Sequence, residues 1–265
     1  MKTDIKVHIL HCGKVKVDHR LAYKDSTIAD VPPVDERSEA YQLWLPVSCY
    51  LIEHPEGDVV IDAGWSEMVR TDPEQHLGHA YKYCHPQLPP GQSIKEHLSA
   101  RHRTAEQIKC VVISHLDVDH ISGLHLLAGA QSFIVSEPEW NAAKPYQIAR
   151  CKDITLEPFV LEPIPFGPYQ LGKDLYGDET IYLIYTPGHT AGLISTLVRV
   201  RDGWVLLVSD AAYSEKSWNE LVLPGHTSDE QQARESLQWI RDFSQRKDCL
   251  AVIANHDPAV QEIIW

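Results

Sequence analysis

The chain has 265 residues, 43% of them hydrophobic and 23% charged, a composition that suits a globular protein with a sizeable core and excludes collagen-like, disordered and mini-protein classes. Asp and Glu outnumber Lys and Arg by 37 to 24, giving a formal charge of −13 without any basic block, so phosphate backbones and anionic membranes are poor electrostatic partners and neither nucleic acid nor membrane is expected. No apolar run approaches the roughly 18 residues of a membrane span, and residues 1–6 lack the apolar stretch of a signal peptide, so the expected setting is cytoplasmic.

In chain order, β-branched and aromatic runs predict strands at 5–10, 47–53 and 58–62, then a long loop over 65–92. A helix is expected at 93–102, a strand at 110–114, a helix at 121–128, a strand at 132–135 and a helix at 137–143. The stretch 141–178 lacks clear periodicity and reads as a second long loop. Strands follow at 180–185, 193–200 and 204–209. The clearest helix begins at Ser228, read as its cap with Gln231 closing a capping box, and carries Ala233, Leu237 and Ile240 on one face. A last strand is expected at 250–254.

No repeat or Gly/Ser-rich linker divides the chain, so one domain over 1–265 is expected. Its class is α/β, with two sheets sandwiched between outer helices. The six cysteines, at 12, 49, 84, 110, 151 and 249, include no C-x-x-C pair and read as free thiols filling the core.

Chemistry concentrates after the strand at 110–114, in His115-Leu116-Asp117-Val118-Asp119-His120. Four metal-competent side chains fall within six residues. In extended backbone, 115, 117 and 119 share a side and 120 faces the other, so one loop can address two ions. The competing reading is a polar turn capping the next helix. Three further groups also follow predicted strands: Gly188-His189-Thr190-Ala191-Gly192, Asp210, and Asn255-His256-Asp257. Singly, each is explained as a turn residue; in this order and number they point to one cleft.

These motifs resemble the metallo-β-lactamase superfamily, whose pattern is H-x-H-x-D-H, a G-H-[ST]-x-G turn, a strand-end Asp and a C-terminal His. The segments 46–53 and 59–64 look like that family's first hairpin with its I-D-x-G turn. Asp210-Ala211-Ala212-Tyr213 and His256-Asp257 are similar to the N-acyl homoserine lactone lactonases within it. The resemblance implies an αββα sandwich with two divalent ions, the first held by His115, Asp117 and His189, the second by Asp119, His120 and His256, and Asp210 bridging.

It further implies that water activated by the ions opens a lactone ring, most closely that of an N-acyl homoserine lactone. Tyr213 would donate a hydrogen bond to the oxyanion, and Asp119, or a water it orients, would deliver a proton to the leaving alkoxide. Asp62, and more weakly Asp257, are expected to orient ligand groups. Trp65, Tyr81, Tyr83, Trp140 and Tyr146 are candidates for an acyl-chain wall.

Asp117 departs from the pattern, standing where the family has its second histidine. An Asp Oδ lies two bonds from Cβ, as does a histidine Nδ1, so the carboxylate reaches the same ion. A third carboxylate makes the site harder and less positive, which favours Fe, Mn or Co at the first position; the alternative is zinc in both. Other readings on the same scaffold are a thioesterase, a phosphodiesterase or, with less support, a di-iron oxidoreductase. The near phosphate-loop spelling at 167–174 lacks its Ser/Thr and a following helix and is rejected.

Overall fold

The computed structural model describes residues 5–24 and 31–265. Thirteen strands form two mixed sheets among the described residues. The first contains β1 (Lys6–Asp18), β2 (Gln42–Glu53), β3 (Asp58–Ile61), β4 (His85–Gln87), β5 (Ile108–Ile113), β6 (Phe133–Ser136) and β7 (Glu157–Phe159), in the order β4-β1-β2-β3-β5-β6-β7. The second contains β8 (Glu162–Pro163), β9 (Leu171–Asp174), β10 (Ile181–Tyr185), β11 (Ile194–Val200), β12 (Gly203–Ser209) and β13 (Cys249–Ala254), in the order β13-β12-β11-β10-β9-β8.

Side-chain alternation explains the layering. On β5, Cys110 and Val112 enter the core between the sheets, whereas Val111 and Ile113 face the opposite way. On β12, Val205 and Leu207 face inward while Leu206 and Val208 face outward. Each sheet therefore buries both faces, which is why its strands read as continuous apolar runs.

The outer layers are helical. The helices are α1 (His19–Ala22), α2 (Pro73–Leu77), α3 (Ile94–Ala100), α4 (Val118–Ile121), α5 (Glu137–Asn141), α6 (Pro145–Arg150), α7 (Glu215–Glu220) and α8 (Glu230–Ser244). Leu98 of α3 joins the core outside the first sheet; Ala233, Leu237 and Ile240 of α8 join the core outside the second. The result is the expected αββα sandwich.

Several local expectations are corrected. The residue capping α8 is Asp229, whose carboxylate accepts from Gln232 N–H; the Ser228 hydroxyl instead donates to the Gly188 carbonyl, tying this helix to the turn that carries His189. The first strand runs on to Asp18 through an irregularity between His11 and Lys14, where Gly13 takes φ 87°. The stretch 65–92 is not a plain loop, since it holds α2, β4 and two 3-10 turns; likewise 141–178 holds α6 and β7 to β9. These pieces are two to six residues long, too short for a hydrophobic period to register. All six cysteines are free.

Candidate metal centre

The extended reading of 115–120 holds only as far as Asp117. The chain turns helical at Val118, so Asp119 and His120 project from the first turn of α4 and not from alternate sides of a strand. Asp117 sits at the cap position of that helix with no capping hydrogen bond. Its carboxylate is turned instead toward His189 Nε2 at 3.1 Å and His115 Nε2 at 3.6 Å. A cap residue that forgoes its N–H partner gives up roughly 1 kcal/mol of helix stability, which marks the carboxylate as engaged elsewhere.

Loops at the ends of β5, β10, β12 and β13 bring all seven sequence-predicted ligands together. Asp210 lies at their centre. One of its oxygens is 3.2 Å from His256 Nε2, 3.9 Å from His189 Nε2 and 4.0 Å from His115 Nε2, and the other is 3.2 Å from His120 Nε2. Asp119 completes the far side, 3.4 Å from His256 Nε2 and 3.9 Å from His120 Nε2. Three overlapping groups arise: His115/Asp117/His189, Asp119/His120/His256 and His115/His120/Asp210, each with its donor atoms within 4.8 Å of one another.

All four imidazoles present Nε2 to this cluster because Nδ1 is engaged behind them. His120 Nδ1 donates to Asp62 at 2.8 Å, His189 Nδ1 to the His226 carbonyl at 2.8 Å, and His256 Nδ1 to the Pro46 carbonyl at 2.7 Å. His115 Nδ1 lies 3.1 Å from Ser114 Oγ, whose own proton goes to Asp62. With Nδ1 as donor, each Nε2 carries a lone pair, the tautomer a metal ligand needs. Asp62 and Ser209, at the ends of β3 and β12, adopt left-handed backbone at φ 61° and 49°, strain of the kind that concentrates at functional sites.

The donor set fits divalent cations. His115 Nε2 is buried without a hydrogen-bond partner among the described residues. Left to protons alone, the cluster recruits them as counter-charge. Burial opposes charging of the imidazoles, yet Asp117 pushes His189 up to about 9, and Asp62 and Asp210 push His120 well above its usual value. Against the cost of enclosure, the facing histidines hold the carboxyls of the partly exposed Asp117 and the buried Asp210 well below the usual carboxylate range. A small cation at the focus of these lone pairs would replace the protons.

The profile of the metallo-beta-lactamase superfamily matches residues 43–246. The chain belongs to the metallo-beta-lactamase superfamily. Among its superfamily relatives, the N-acyl homoserine lactonase AttM of Agrobacterium fabrum is 31% identical over 97% of this chain and 94% of its own length. The N-acyl homoserine lactonase AiiA of Bacillus thuringiensis subsp. kurstaki is 26% identical over 95% and 93%. A solved N-acyl homoserine lactone hydrolase, with N-hexanoyl-L-homoserine at its catalytic metal centre, superposes with a TM-score of 0.77 at 22% identity, covering 97% of this chain and 95% of that one. As a member of this superfamily, the chain carries Asp117 where the family pattern has histidine.

Beside the centre, Tyr213 is 3% exposed and its ring stacks on that of His256, with centroids 5.0 Å apart. Burial, then the carboxylates of Asp210, Asp119 and Asp117, push its phenol well above the usual value, so it keeps its proton. The centre opens into a cavity of about 1040 Å³. Tyr83 and Tyr146 line it; the other three candidate aromatics do not. Trp65 is fully buried, donating to the Lys14 carbonyl, Tyr81 stacks on His85, and Trp140 packs against the core outside the first sheet. Asp257 also departs from expectation: its carboxylate accepts from the N–H groups of Glu215 and Ala259 and fixes the start of α7, leaving His256 to Pro46.

Glu139 escaped the motif reading. It is 4% exposed, and its two oxygens accept from Leu116 N–H at 3.0 Å and Gly192 N–H at 2.9 Å. One carboxylate thereby joins the loop bearing His115 and Asp117 to the turn bearing His189. Ser136 donates to the Gly192 carbonyl and Gln147 to the Leu116 carbonyl, closing both sides. Gly192 has no room for a side chain, since a Cβ would come within 2.0 Å of Glu139 N. Its sequence signal was Ser136-x-x-Glu139, a capping-box spelling at the start of α5.

Glu139→Gln turns one acceptor into a donor facing an N–H group. The expected cost is about 2 kcal/mol of stability. Because both ligand loops shift, metal affinity should fall about 10–100-fold. Thermal melts and metal titration of the variant check this; unchanged metal affinity would contradict the clamp.

Proposed function

We propose that this chain is a dinuclear metal hydrolase that opens the ring of N-acyl homoserine lactones. The observation that carries the reading is the convergence of four Nε2 lone pairs and three carboxylates on one point of a large cavity. His115, Asp117 and His189 would hold one ion, Asp119, His120 and His256 the other, and Asp210 would serve both. When bound, such ions supply Lewis-acid polarisation and a water acidified toward neutral pH. The six free thiols support a reducing, cytoplasmic setting.

This chain's own groups do the rest. The Tyr213 hydroxyl, kept protonated, donates to the lactone carbonyl oxygen as it gains charge. Asp119, less enclosed than Asp210 at 14% side-chain exposure against 3%, would take the proton that the attacking water gives up and pass it to the ring oxygen as the C–O bond breaks. Val15, Val17 and Leu45 give the cavity an apolar wall for an acyl chain.

The two positions offer the same donor set, two imidazoles and one carboxylate, with Asp210 beside both; relative to the family's histidine, Asp117 makes the His115/Asp117/His189 position harder and raises its preference for Fe, Mn or Co over zinc. A solved relative, AidC, is described as a dizinc lactonase. Reconstitution with Zn, Mn, Fe and Co separately, assayed on lactones, thioesters and phosphodiesters, tests the function. Turnover of lactones is expected. Phosphodiester hydrolysis with no lactone turnover would overturn it.

A further inference from the structure

The cavity has two unlike walls. Besides the apolar residues of β1 and β2, helix α6 lends the lining Tyr146, Ala149 and Arg150, spaced i, i+3, i+4 and so on one face, with Lys144 just ahead of them. Arg150 is half-buried, and one nitrogen, Nη2, donates to the carbonyls of His76 at 2.8 Å and Leu77 at 3.0 Å. A guanidinium has five N–H donors in a planar fork, so Nη1 and Nε keep theirs.

No carboxylate among the described residues pairs with it. Of the carboxylates lining the cavity, Asp117, Asp119 and Asp210 face the imidazoles and Glu230 pairs with Lys24. Burial pulls the guanidinium's pKa below its usual value, with Cys84 and Tyr146 opposing. Cys84 and Tyr146 line the same cavity as Asp117, Asp119 and Arg150. In a chain of net charge −13, a half-buried cation without a carboxylate partner among the described residues, in the wall of the cavity that holds the reaction centre, lacks an anion.

We infer that Arg150, with Lys144 at the rim, is a subsite for an anionic substituent that the substrate carries beyond its scissile carbonyl, so that carboxylate-bearing acyl chains are favoured over neutral ones. This deepens the lactonase reading and rests on it. The backbone bonds of Nη2 hold the fork in place before the ligand arrives, and a carboxylate would take the remaining donors.

The test is a matched pair, N-glutaryl and N-hexanoyl homoserine lactone, on the metal-loaded enzyme. The expected kcat/KM ratio favours the glutaryl compound by about 10-fold or more, the scale of one charge-assisted hydrogen bond. Arg150→Met should erase that ratio and Arg150→Lys should retain part of it. A wild-type ratio of one or below, or an Arg150→Met enzyme that loses both substrates equally, overturns the proposal and leaves Arg150 as a staple between α6 and α2.

Should neither lactone be cleaved, the lactonase reading fails, and calorimetry with the open-chain acids N-glutaryl- and N-hexanoyl-homoserine decides the subsite separately. Tighter binding of the glutaryl acid, lost in Arg150→Met, supports it; equal binding overturns it.

Discussion

Asp210→Asn is expected to lower kcat/KM for lactone hydrolysis by at least about 1000-fold and to weaken metal retention by more than the 10–100-fold typical of losing an outer hydrogen-bond partner. The reason is positional. Among the described residues, Asp210 is the one carboxylate within 4.0 Å of all four histidine Nε2 atoms, so both halves of the centre depend on its charge. Asparagine keeps the shape and removes the charge, so the fold should persist while the ions leave. Metal analysis after dialysis, beside the melting curve, reads both effects. Full metal content with full activity would mean that the centre is organised around some other group.

The second large effect is expected at Tyr213. Tyr213→Phe preserves the ring that stacks on His256 but deletes the hydroxyl. If that hydroxyl donates to the oxyanion, kcat should fall by about 100-fold while KM changes little, because the bond strengthens only as charge develops. Metal content should be unchanged, since the converging histidine and aspartate groups are complete without Tyr213. Burial also keeps the phenol protonated across the neutral range, so no loss of activity from its ionisation is expected below pH 10. A Phe variant with unaltered kcat would reduce Tyr213 to packing.

Much of this was legible in the sequence because the ligands sit directly after strands whose apolar runs are easy to find. His115 follows Ile113 by two residues, and Asp210 follows Ser209. Their convergence is then a property of the sandwich, whose strand ends share an edge. What the sequence concealed is whatever depends on side chains crossing between elements. Glu139 clamps loops 23 and 53 residues away, whereas its own neighbourhood, Ser136-x-x-Glu139, announces only a helix cap. Ser228 looked like a cap because it is the right residue type one position early; its hydroxyl is taken by Gly188, and Asp229 does the capping.

The same limit applies to the cavity. Arg20, Lys24, Lys144 and Arg150 are scattered in sequence, and only the fold puts them around one space. Asp117 illustrates the opposite case. Its deviation from the family pattern was visible at once, and the geometry adds that its carboxylate reaches both His115 and His189.

The most direct measurement of the dinuclear centre is anomalous diffraction at the metal edge from crystals of the metal-loaded protein. The prediction is two peaks, roughly 3.5–4 Å apart as in other two-metal hydrolases, one beside His115, Asp117 and His189, the other beside Asp119, His120 and His256, with Asp210 between them. A single peak, or peaks away from these seven residues, would contradict it.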